Sequence, residues 1–193
     1  MPEQQPDEAP RPDGPDERAA HFAQLAGAEA WSADHGTIKL RVPRDRWVAA
    51  HEALKEELPF FSWLAGVDWT ADVAVGDPPE DEDVAERFEV MSRLADVSTG
   101  AGVILSVDLA KDDASLDTVT TVYRGAEWHE REAFEMFGID FRGHPKLVKL
   151  YLVDGFEGHP LRKSFPLLSR EVKPWPGTVD VEDMPSTENP EAP

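Results

Sequence analysis

The positions of apolar residues predict four β-strands in the middle of the chain. Three stretches alternate apolar and polar side chains, which is the period of a strand with one buried face: residues 37–42, 88–94 and 103–109. Residues 60–69 are almost continuously apolar and aromatic, so we expect a strand that is buried on much of both faces. These patterns predict a mostly antiparallel, four-stranded sheet.

Helical spacing of apolar residues occurs in four other segments: residues 16–31, 43–58, 116–123 and 127–137. Pro15 and Pro43 open the first two segments, because proline suits the first turn of a helix. Gly138 follows the last segment as its predicted C-cap, since glycine adopts the left-handed conformation without strain. We therefore expect an α+β domain over residues 15–140, with helices covering the sheet.

The helix predicted over residues 127–137 combines charged pairs with an apolar stripe. Arg131 lies four residues from both Glu127 and Glu135, so the spacing predicts ion pairs on one helical face. The predicted apolar stripe consists of Trp128, Ala133, Phe134, Met136 and Phe137.

A short phrase occurs twice after this helix, as Phe-Arg-Gly-His-Pro at residues 141–145 and as Phe-Glu-Gly-His-Pro at residues 156–160. Glycine permits a positive φ angle, whereas proline fixes its own φ and pushes the preceding histidine towards extended geometry. Each copy therefore predicts a tight turn that buries its aromatic residue and presents His144 or His159 at a rigid corner.

Three regions stand apart because they are rich in acidic residues or proline. Residues 1–14 are predicted to be a disordered tail, since such a composition cannot form a packed core. Residues 72–86 are predicted to be a solvated acidic loop between two strands. Residues 141–193 are interrupted by proline too often to form a core of their own, so we expect an extended arm that docks on a partner.

Charge and cysteine content exclude several classes of function. The formal net charge of −20 disfavours direct binding to nucleic acid or anionic lipid. The absence of cysteine excludes thiol catalysis, disulfides and cysteine-ligated iron–sulfur clusters on this chain. No apolar run approaches the roughly 20 residues of a membrane helix, and the N-terminus shows no apolar signal segment, so we expect a soluble, cytoplasmic chain.

Two histidines and nearby carboxylates raise the alternative of a metal-dependent hydrolase. His144, His159, Glu130 and Glu132 are the candidate ligands, but the histidines are 159 − 144 = 15 positions apart and no His-x-x-x-His spacing occurs. We favour a structural role, in which each imidazole binds backbone at its turn or reaches a partner. The carboxylates beside Arg131 are interpreted as ion-paired support rather than as acid–base groups. We therefore expect no catalytic, metal or cofactor site on this chain.

Arg162 and Lys163 form the one strong basic pair in the C-terminal half of the chain. Because the rest of the chain is acidic, they are candidates for docking on carboxylates of a partner, with Phe165 and Leu167 as apolar anchors. Simple solubility is an equally open interpretation of the two cations.

The region around the repeated phrase resembles the signature of the 30 kDa subunit family of respiratory complex I, the C subunit of bacterial NADH–quinone oxidoreductase. The first block of the resemblance consists of Glu130, Arg131, Glu132, Phe134, Phe137, Gly138, Gly143, His144 and Pro145. The second block, which we expect to dock on a partner, contains Gly158, His159, Pro160, Arg162, Lys163, Phe165 and Pro166. Glu135, Lys149 and Ser164 depart mildly from the family pattern.

The resemblance implies a cofactor-free structural subunit of the peripheral arm of complex I, at the cytoplasmic face of the cell membrane. It implies that other subunits oxidise NADH, carry FMN and iron–sulfur clusters, and reduce quinone. The implied partners are subunits D, B and I of the same complex, of which the first contains the quinone site. A related membrane-bound hydrogenase, or a dehydrogenase with another electron donor, is an alternative parent complex, because the donor binds to a different chain.

Overall fold

The structure, a computed structural model, describes residues 14–69, 72–75, 80–83 and 85–166. The helices are α1 (Pro15–Ala26), α2 (Trp47–Leu54) and α3 (Ala126–Phe137), and a 3-10 turn covers Arg44–Arg46. The strands are β1 (Ala30–Asp34), β2 (Thr37–Arg41), β3 (Phe60–Trp69), β4 (Asp72–Val75), β5 (Glu80–Asp83), β6 (Arg87–Ala95), β7 (Gly102–Leu109), β8 (Ser115–Asp117) and β9 (Asp140–Arg142).

The central sheet has five strands in the order β1-β2-β7-β6-β3. The β2–β7 pairing is parallel and the other three pairings are antiparallel, so the prediction of a mostly antiparallel, four-stranded sheet is wrong: the sheet is mixed. The strand that was not predicted is β1, whose first two residues the helical spacing placed in the first helix. That helix ends at Ala26, because Gly27 takes a left-handed φ of 67° and turns the chain into β1.

The predicted alternation of β6 and β7 places one face of the sheet in the hydrophobic core. Phe88, Val90, Leu94, Val103, Leu105, Val107 and Leu109 are at most 2% exposed, as their period predicts. All three helices cover this face. His51 of α2 binds Ser92 of β6, α1 packs on α2, and Phe137 of α3 contacts Phe88.

The other face of the sheet carries no helix among the described residues, and this explains a second error. Strand β3 was expected to be buried on much of both faces, yet only Leu64 and Asp68 are fully buried in it. One face of β3 packs under α3, and the opposite face has no described helix over it and stays partly exposed.

Residues 116–123 do not form the predicted helix. Ser115–Asp117 is the short strand β8, which pairs in parallel with β9, and turns follow it. Leu116, Val119 and Tyr123 are nevertheless all buried, so the spacing identified the core residues correctly. The run of β-branched residues from Thr118 to Val122 disfavours a helix, and these residues form turns instead.

The predicted acidic loop is not irregular throughout, because β4 and β5 pair as an antiparallel ribbon from Asp72–Asp83 to Val75–Glu80. The predicted disorder of residues 1–14 lies outside the described residues except for Gly14, which precedes α1. Residues 167–193 of the predicted arm also lie outside them. Among the described residues, no helix has both the length and the apolar content that crossing a bilayer requires.

Candidate functional site

The C-terminal end of α3 is closed by the second Gly-His-Pro phrase. An α-helix leaves its last four carbonyl groups without partners inside the helix. Gly138 N donates to Phe134 O at 2.9 Å. Three donors from the second phrase and the two residues after it bind the other carbonyls: His159 Nδ1 to Glu135 O at 2.8 Å, Leu161 N to Met136 O at 3.1 Å and Arg162 Nε to Phe137 O at 2.6 Å. All four carbonyl groups at this end therefore have partners within the chain.

Gly138 confirms the predicted C-cap, with a left-handed φ of 70°. It also leaves room for the donors that follow. A Cβ at this position would lie 2.5 Å from both the Arg162 guanidinium and the His159 ring, so any side chain here would collide with them.

The two cations of the predicted docking pair occupy different environments. The Arg162 guanidinium caps the negative end of the α3 dipole and lies over the Phe88 ring at 5.2 Å. The Lys163 backbone N–H donates to Asp68 Oδ2 at 2.8 Å, and Lys163 is exposed. Arg162 is thus engaged inside its own chain, whereas only Lys163 is presented to solvent.

Arg131 and Glu135 do not pair with each other; each binds backbone of the segment that follows α3. Arg131 donates to Val148 O at 2.9 Å and to Lys149 O at 3.0 Å. Glu135 accepts hydrogen bonds from three successive amides: Leu150 N at 2.8 Å, Tyr151 N at 2.9 Å and Leu152 N at 2.6 Å. The ion pairs predicted along this face are therefore wrong, because the backbone groups of residues 148–152 compete successfully for both side chains.

The environment of Glu135 keeps its carboxylate charged. Burial alone would raise the pKa of Glu135, but the amides of residues 150–152 and the nearby Lys149 hold that pKa below its ordinary value. An ionised carboxylate under three N–H groups is a strong local constraint on the loop.

Glu130 points the other way and holds the loop that precedes α3. Its side chain is fully buried, and it accepts hydrogen bonds from Thr118 Oγ1 at 2.5 Å and from Val119 N at 2.8 Å. Burial raises the pKa of Glu130 to about 7, although both hydrogen bonds act in the opposite direction. Without access to solvent, this carboxyl group serves as an internal support.

His144 fastens the first Gly-His-Pro phrase to the start of α3. Its Nε2 lies 3.1 Å from the carbonyl oxygen of Glu127, and its Nδ1 accepts a hydrogen bond from Lys146 N at 3.0 Å. The neutral Nε2–H tautomer satisfies both contacts. Nε2 is also 3.9 Å from Glu130 Oε2. The two histidines thus bind carbonyls two helical turns apart, at Glu127 and Glu135.

The residues considered as metal ligands are not gathered in one place. Within the described ranges, no three His, Cys, Asp or Glu side chains are close enough to hold a metal ion. Glu130 and His144 are neighbours, but His159 lies at the far end of α3 and Glu132 makes no hydrogen bond or ion pair with a described residue. The four candidate ligands are therefore not brought together in the described part of the chain.

The aromatic residues of the second phrase pack on each other. Gly158 has a φ of 91°, and the Phe165 ring stacks on Phe156 with 5.9 Å between centroids. Phe156 is therefore half-buried under its own chain rather than buried in the domain core, whereas Phe141 of the first phrase is 2% exposed. Pro160 is half-buried, Pro145 and Pro166 are exposed, and Leu167 lies outside the described residues.

Residues 143–166 thus form what we call the α3-binding segment. Sequence reasoning assigned no role to its central part, residues 148–153, although the run Leu147 to Val153 is apolar except for Lys149. Exposed apolar side chains lie on this segment and on α3; we call them the apolar surface: Trp128, Val148, Tyr151, Val153 and Leu161. Trp128 is 65% exposed, so its assignment to the buried stripe of α3 is wrong.

Family comparison matches residues 40–171 to the respiratory-chain NADH dehydrogenase, 30 Kd subunit, model. The chain is similar to the NADH-quinone oxidoreductase C subunit of Citrifermentans bemidjiense, with 39% identity over 93 residues, 48% of this chain and 58% of that protein. It is also similar to the C/D subunit of Chromohalobacter salexigens, with 41% identity over 103 residues, 53% of this chain and 16% of that protein. The chain therefore spans just over half and about a sixth of these relatives, respectively.

Two solved structures share the fold. The trypsin-resistant fragment (1–134) of Nqo5 has a TM-score of 0.56 and 26% identity, covering 68% of this chain and 98% of the fragment. A chain of an archaeal respiratory membrane complex, the membrane-bound sulfane sulfur reductase, has a TM-score of 0.64 and 23% identity, covering 79% of this chain and 86% of that one.

The family model covers most of the sheet, and it also covers α3 and the described residues that follow it, where the resemblance in sequence lies. This chain belongs to the family of the 30 kDa subunit of respiratory-chain NADH dehydrogenase, the C subunit of NADH–quinone oxidoreductase.

Proposed function

We propose that this chain is a cofactor-free structural subunit in the peripheral arm of a proton-pumping NADH–quinone oxidoreductase. In that complex, electrons pass from NADH through FMN and iron–sulfur clusters on other subunits to quinone. This chain holds the quinone-site subunit in place, with subunits B and I close by. The assembly lies at the cytoplasmic face of the cell membrane.

The observation that carries the proposal is the apolar surface on α3 and its bound segment. Tyr151 is 60% exposed and Val153 73% exposed, on a loop whose backbone is fixed by Arg131 and Glu135. A rigid loop that displays apolar side chains is suited to protein contact, because little conformational entropy is lost when a partner covers it.

The chemistry of the same region favours a structural role. The polar side chains of α3 with the strongest contacts are Glu130, Arg131 and Glu135, and all three bind backbone or side-chain groups of this chain. The sequence has no cysteine, so it offers no thiolate to an iron–sulfur cluster.

The names of two relatives support the quinone-site subunit as the neighbour. Proteins of Chromohalobacter salexigens and Pseudomonas fluorescens are named as a combined C/D subunit, and this chain matches only 16% and 15% of their lengths. If one chain combines C-like and D-like parts, the two parts are tethered close together, which is the arrangement proposed here for separate chains.

The test is to purify the tagged full chain with its partners from cells that express it. We expect subunits D, B and I of an NADH–quinone oxidoreductase and NADH-dependent quinone reduction in the same fraction. Recovery of hydrogenase subunits, or of a different donor subunit, would instead assign the chain to a related membrane complex. Recovery of the chain alone would contradict the structural role.

A paired variant tests the surface itself. We expect Tyr151→Ser with Val153→Ser to reduce assembly while leaving the isolated chain folded, because both side chains are exposed. The matched control is Val97→Ser, at a 76% exposed position in the β6–β7 turn. Normal assembly of the Tyr151/Val153 variant would show that the apolar surface is not the contact.

A further inference from the structure

The face of the central sheet that carries no described helix has its own composition. We call it the outer face; it is the side of β2, β3, β6 and β7 that carries Arg41, Val67, Glu89, Arg93, Ile104 and Asp108. The register sets these residues side by side: Glu89 is opposite Asp108 and Val67, and Arg93 is opposite Ile104. The α3-binding segment lies on the opposite side, so the outer face is a separate surface.

The two carboxylates of the outer face are already neutralised. Glu89 is 1% exposed, with Lys39 Nζ at 2.6 Å from Oε1 and Trp69 Nε1 at 3.0 Å from Oε2. The pKa of Glu89 is lowered, because its hydrogen bonds to Lys39 and Trp69 and the charge of Arg87 outweigh the effect of burial. These contacts join three strands of the sheet across its outer face.

Asp108 is shared between Arg87 Nε at 3.0 Å and Arg41 at 3.5 Å. Arg93 makes no hydrogen bond or ion pair with a described residue. On this side of the five strands, four cations and three carboxylates, the third being Asp34 at the tip of the β1–β2 hairpin, give a formal charge of 4 − 3 = +1, whereas the whole chain carries −20.

Aromatic and aliphatic side chains line the edge of this cationic area. Phe60 is 49% exposed at the start of β3, and Trp63, Val67 and Trp69 continue the row along the same strand. The Arg87 guanidinium lies 5.2 Å from the Trp69 ring centre. Tryptophan and arginine are the residues that most often dominate the free energy of protein–protein binding.

The net charge of the chain argues against a polyanionic partner. A nucleic acid or an anionic membrane is larger than the outer face, so its charges would also come within the Debye length of about 8–10 Å of the surrounding surface of a chain that carries −20, and a local charge of +1 offsets this repulsion little. A protein partner avoids this repulsion, because it can present a few carboxylates at the outer face alone.

The dimensions of the outer face favour a segment over a whole domain. Four strands at ~4.8 Å spacing and about 8 residues at ~3.3 Å rise give roughly 500 Å². A standard protein–protein interface covers ~800 Å² on each partner. We infer that the outer face binds an acidic segment of a neighbouring protein subunit, whose carboxylates contact Arg93 and Arg41 and whose apolar side chains contact the row on β3.

The first test places a photoreactive benzoylphenylalanine at position 93 of the full chain in cells, in place of Arg93. The matched control places it at Arg124, an exposed position in the turn before α3. We expect illumination to link position 93, but not position 124, to a carboxylate-rich peptide of another protein, identified by mass spectrometry. No link above the control level would overturn the inference. A link only to this chain's own acidic residues, at 70–86 or beyond 166, would overturn it as well.

The second test reverses charge with Arg93→Glu and Arg41→Glu, against Arg124→Glu as control. We expect about a tenfold lower recovery of the neighbour with the double variant and no change with the control. Circular dichroism and the Tm of the isolated chain establish that each variant is folded, and Arg93→Gln serves if the double variant is not. Unchanged recovery from a folded variant would also overturn the inference.

Neither test of the outer face depends on which complex the chain belongs to. A cross-linked neighbour that is not a subunit of an NADH–quinone oxidoreductase would contradict the proposed function and leave the outer-face inference intact. A purified complex of the expected subunits without a link from position 93 would contradict the outer-face inference and leave the proposed function intact.

Discussion

The sheet with its helices and the α3-binding segment are held in place by different forces. In the sheet domain, large side chains such as Trp47, Leu40 and Leu105 are fully buried in one apolar cluster. In the α3-binding segment no apolar residue that the structure describes is fully buried, and the chain is held by hydrogen bonds to α3. Stability of the domain is therefore spread over many contacts, whereas stability of the segment depends on a few polar groups.

The comparison predicts that apolar truncation acts on the whole domain. Leu105→Ala removes a fully buried side chain in the middle of β7, and we expect it to lower the free energy of unfolding by about 2–5 kcal/mol. Urea unfolding of the isolated chain measures this loss. The control is Val97→Ala at the exposed β6–β7 turn, which should change the free energy of unfolding little. Equal effects of the two changes would contradict a single apolar core.

The next largest effect should be confined to the α3-binding segment. Glu135→Ala leaves the amides of residues 150–152 without their carboxylate, and we expect a local loss of about 1.5–3 kcal/mol. Hydrogen exchange should accelerate at residues 148–152 while β6 and β7 stay protected. Glu132→Ala is the matched control on the same helix. Global unfolding by Glu135→Ala would show that the two regions are not separate.

Sequence patterns predicted much of the sheet domain, which is the region held by apolar contacts. The period of β6 and β7 identified their buried faces, and Gly138 identified the end of α3, because these features depend on neighbours in sequence. Gly27 is an equally good signal for the end of α1. It was passed over because the helical spacing of apolar residues continues to Trp31, and the strand β1 was missed for the same reason.

The hydrogen bonds that hold the α3-binding segment could not be predicted in the same way. Glu127, Arg131 and Glu135 have the spacing of ion pairs, and nothing local reveals that Arg131 and Glu135 bind backbone 15 to 18 residues further on. Arg162 has the same limitation, because its partners Phe137 O and the Phe88 ring are distant in sequence. A charged side chain specifies its chemistry in sequence, but the backbone group it binds is specified only by the fold.

A smaller effect should appear in the pH dependence of stability. The pKa of Glu130 is raised to about 7 from about 4.5, so its contribution is fully present below about pH 4.5 and is lost as the pH rises through 7. Glu130→Gln cannot ionise and can keep the contacts with Thr118 and Val119. We expect stability of the variant to fall less between pH 5 and 8, by roughly 1–2 kcal/mol. Parallel pH profiles for both proteins would refute the role of burial at Glu130.

The smallest effect separates the two cations that the sequence shows as a pair. Arg162→Met removes a donor to the end of α3, and we expect a loss of about 0.5–1.5 kcal/mol, detected as faster proteolysis within residues 156–166. Lys163→Met should leave the isolated chain unchanged, because its backbone N–H binds Asp68 and its side chain makes no hydrogen bond or ion pair with a described residue. If Lys163→Met instead weakens assembly without affecting the isolated chain, the docking role predicted for the pair belongs to Lys163 alone.

The closing of α3 by residues 159–162 also determines an order of events. The carbonyls of Glu135, Met136 and Phe137 are presented together only after α3 has formed, so the second Gly-His-Pro phrase has nothing to bind in an unfolded chain. We therefore expect its attachment to be a late step on the folding pathway. Changes at His159 or Arg162 should accelerate unfolding and leave the rate of folding almost unaltered.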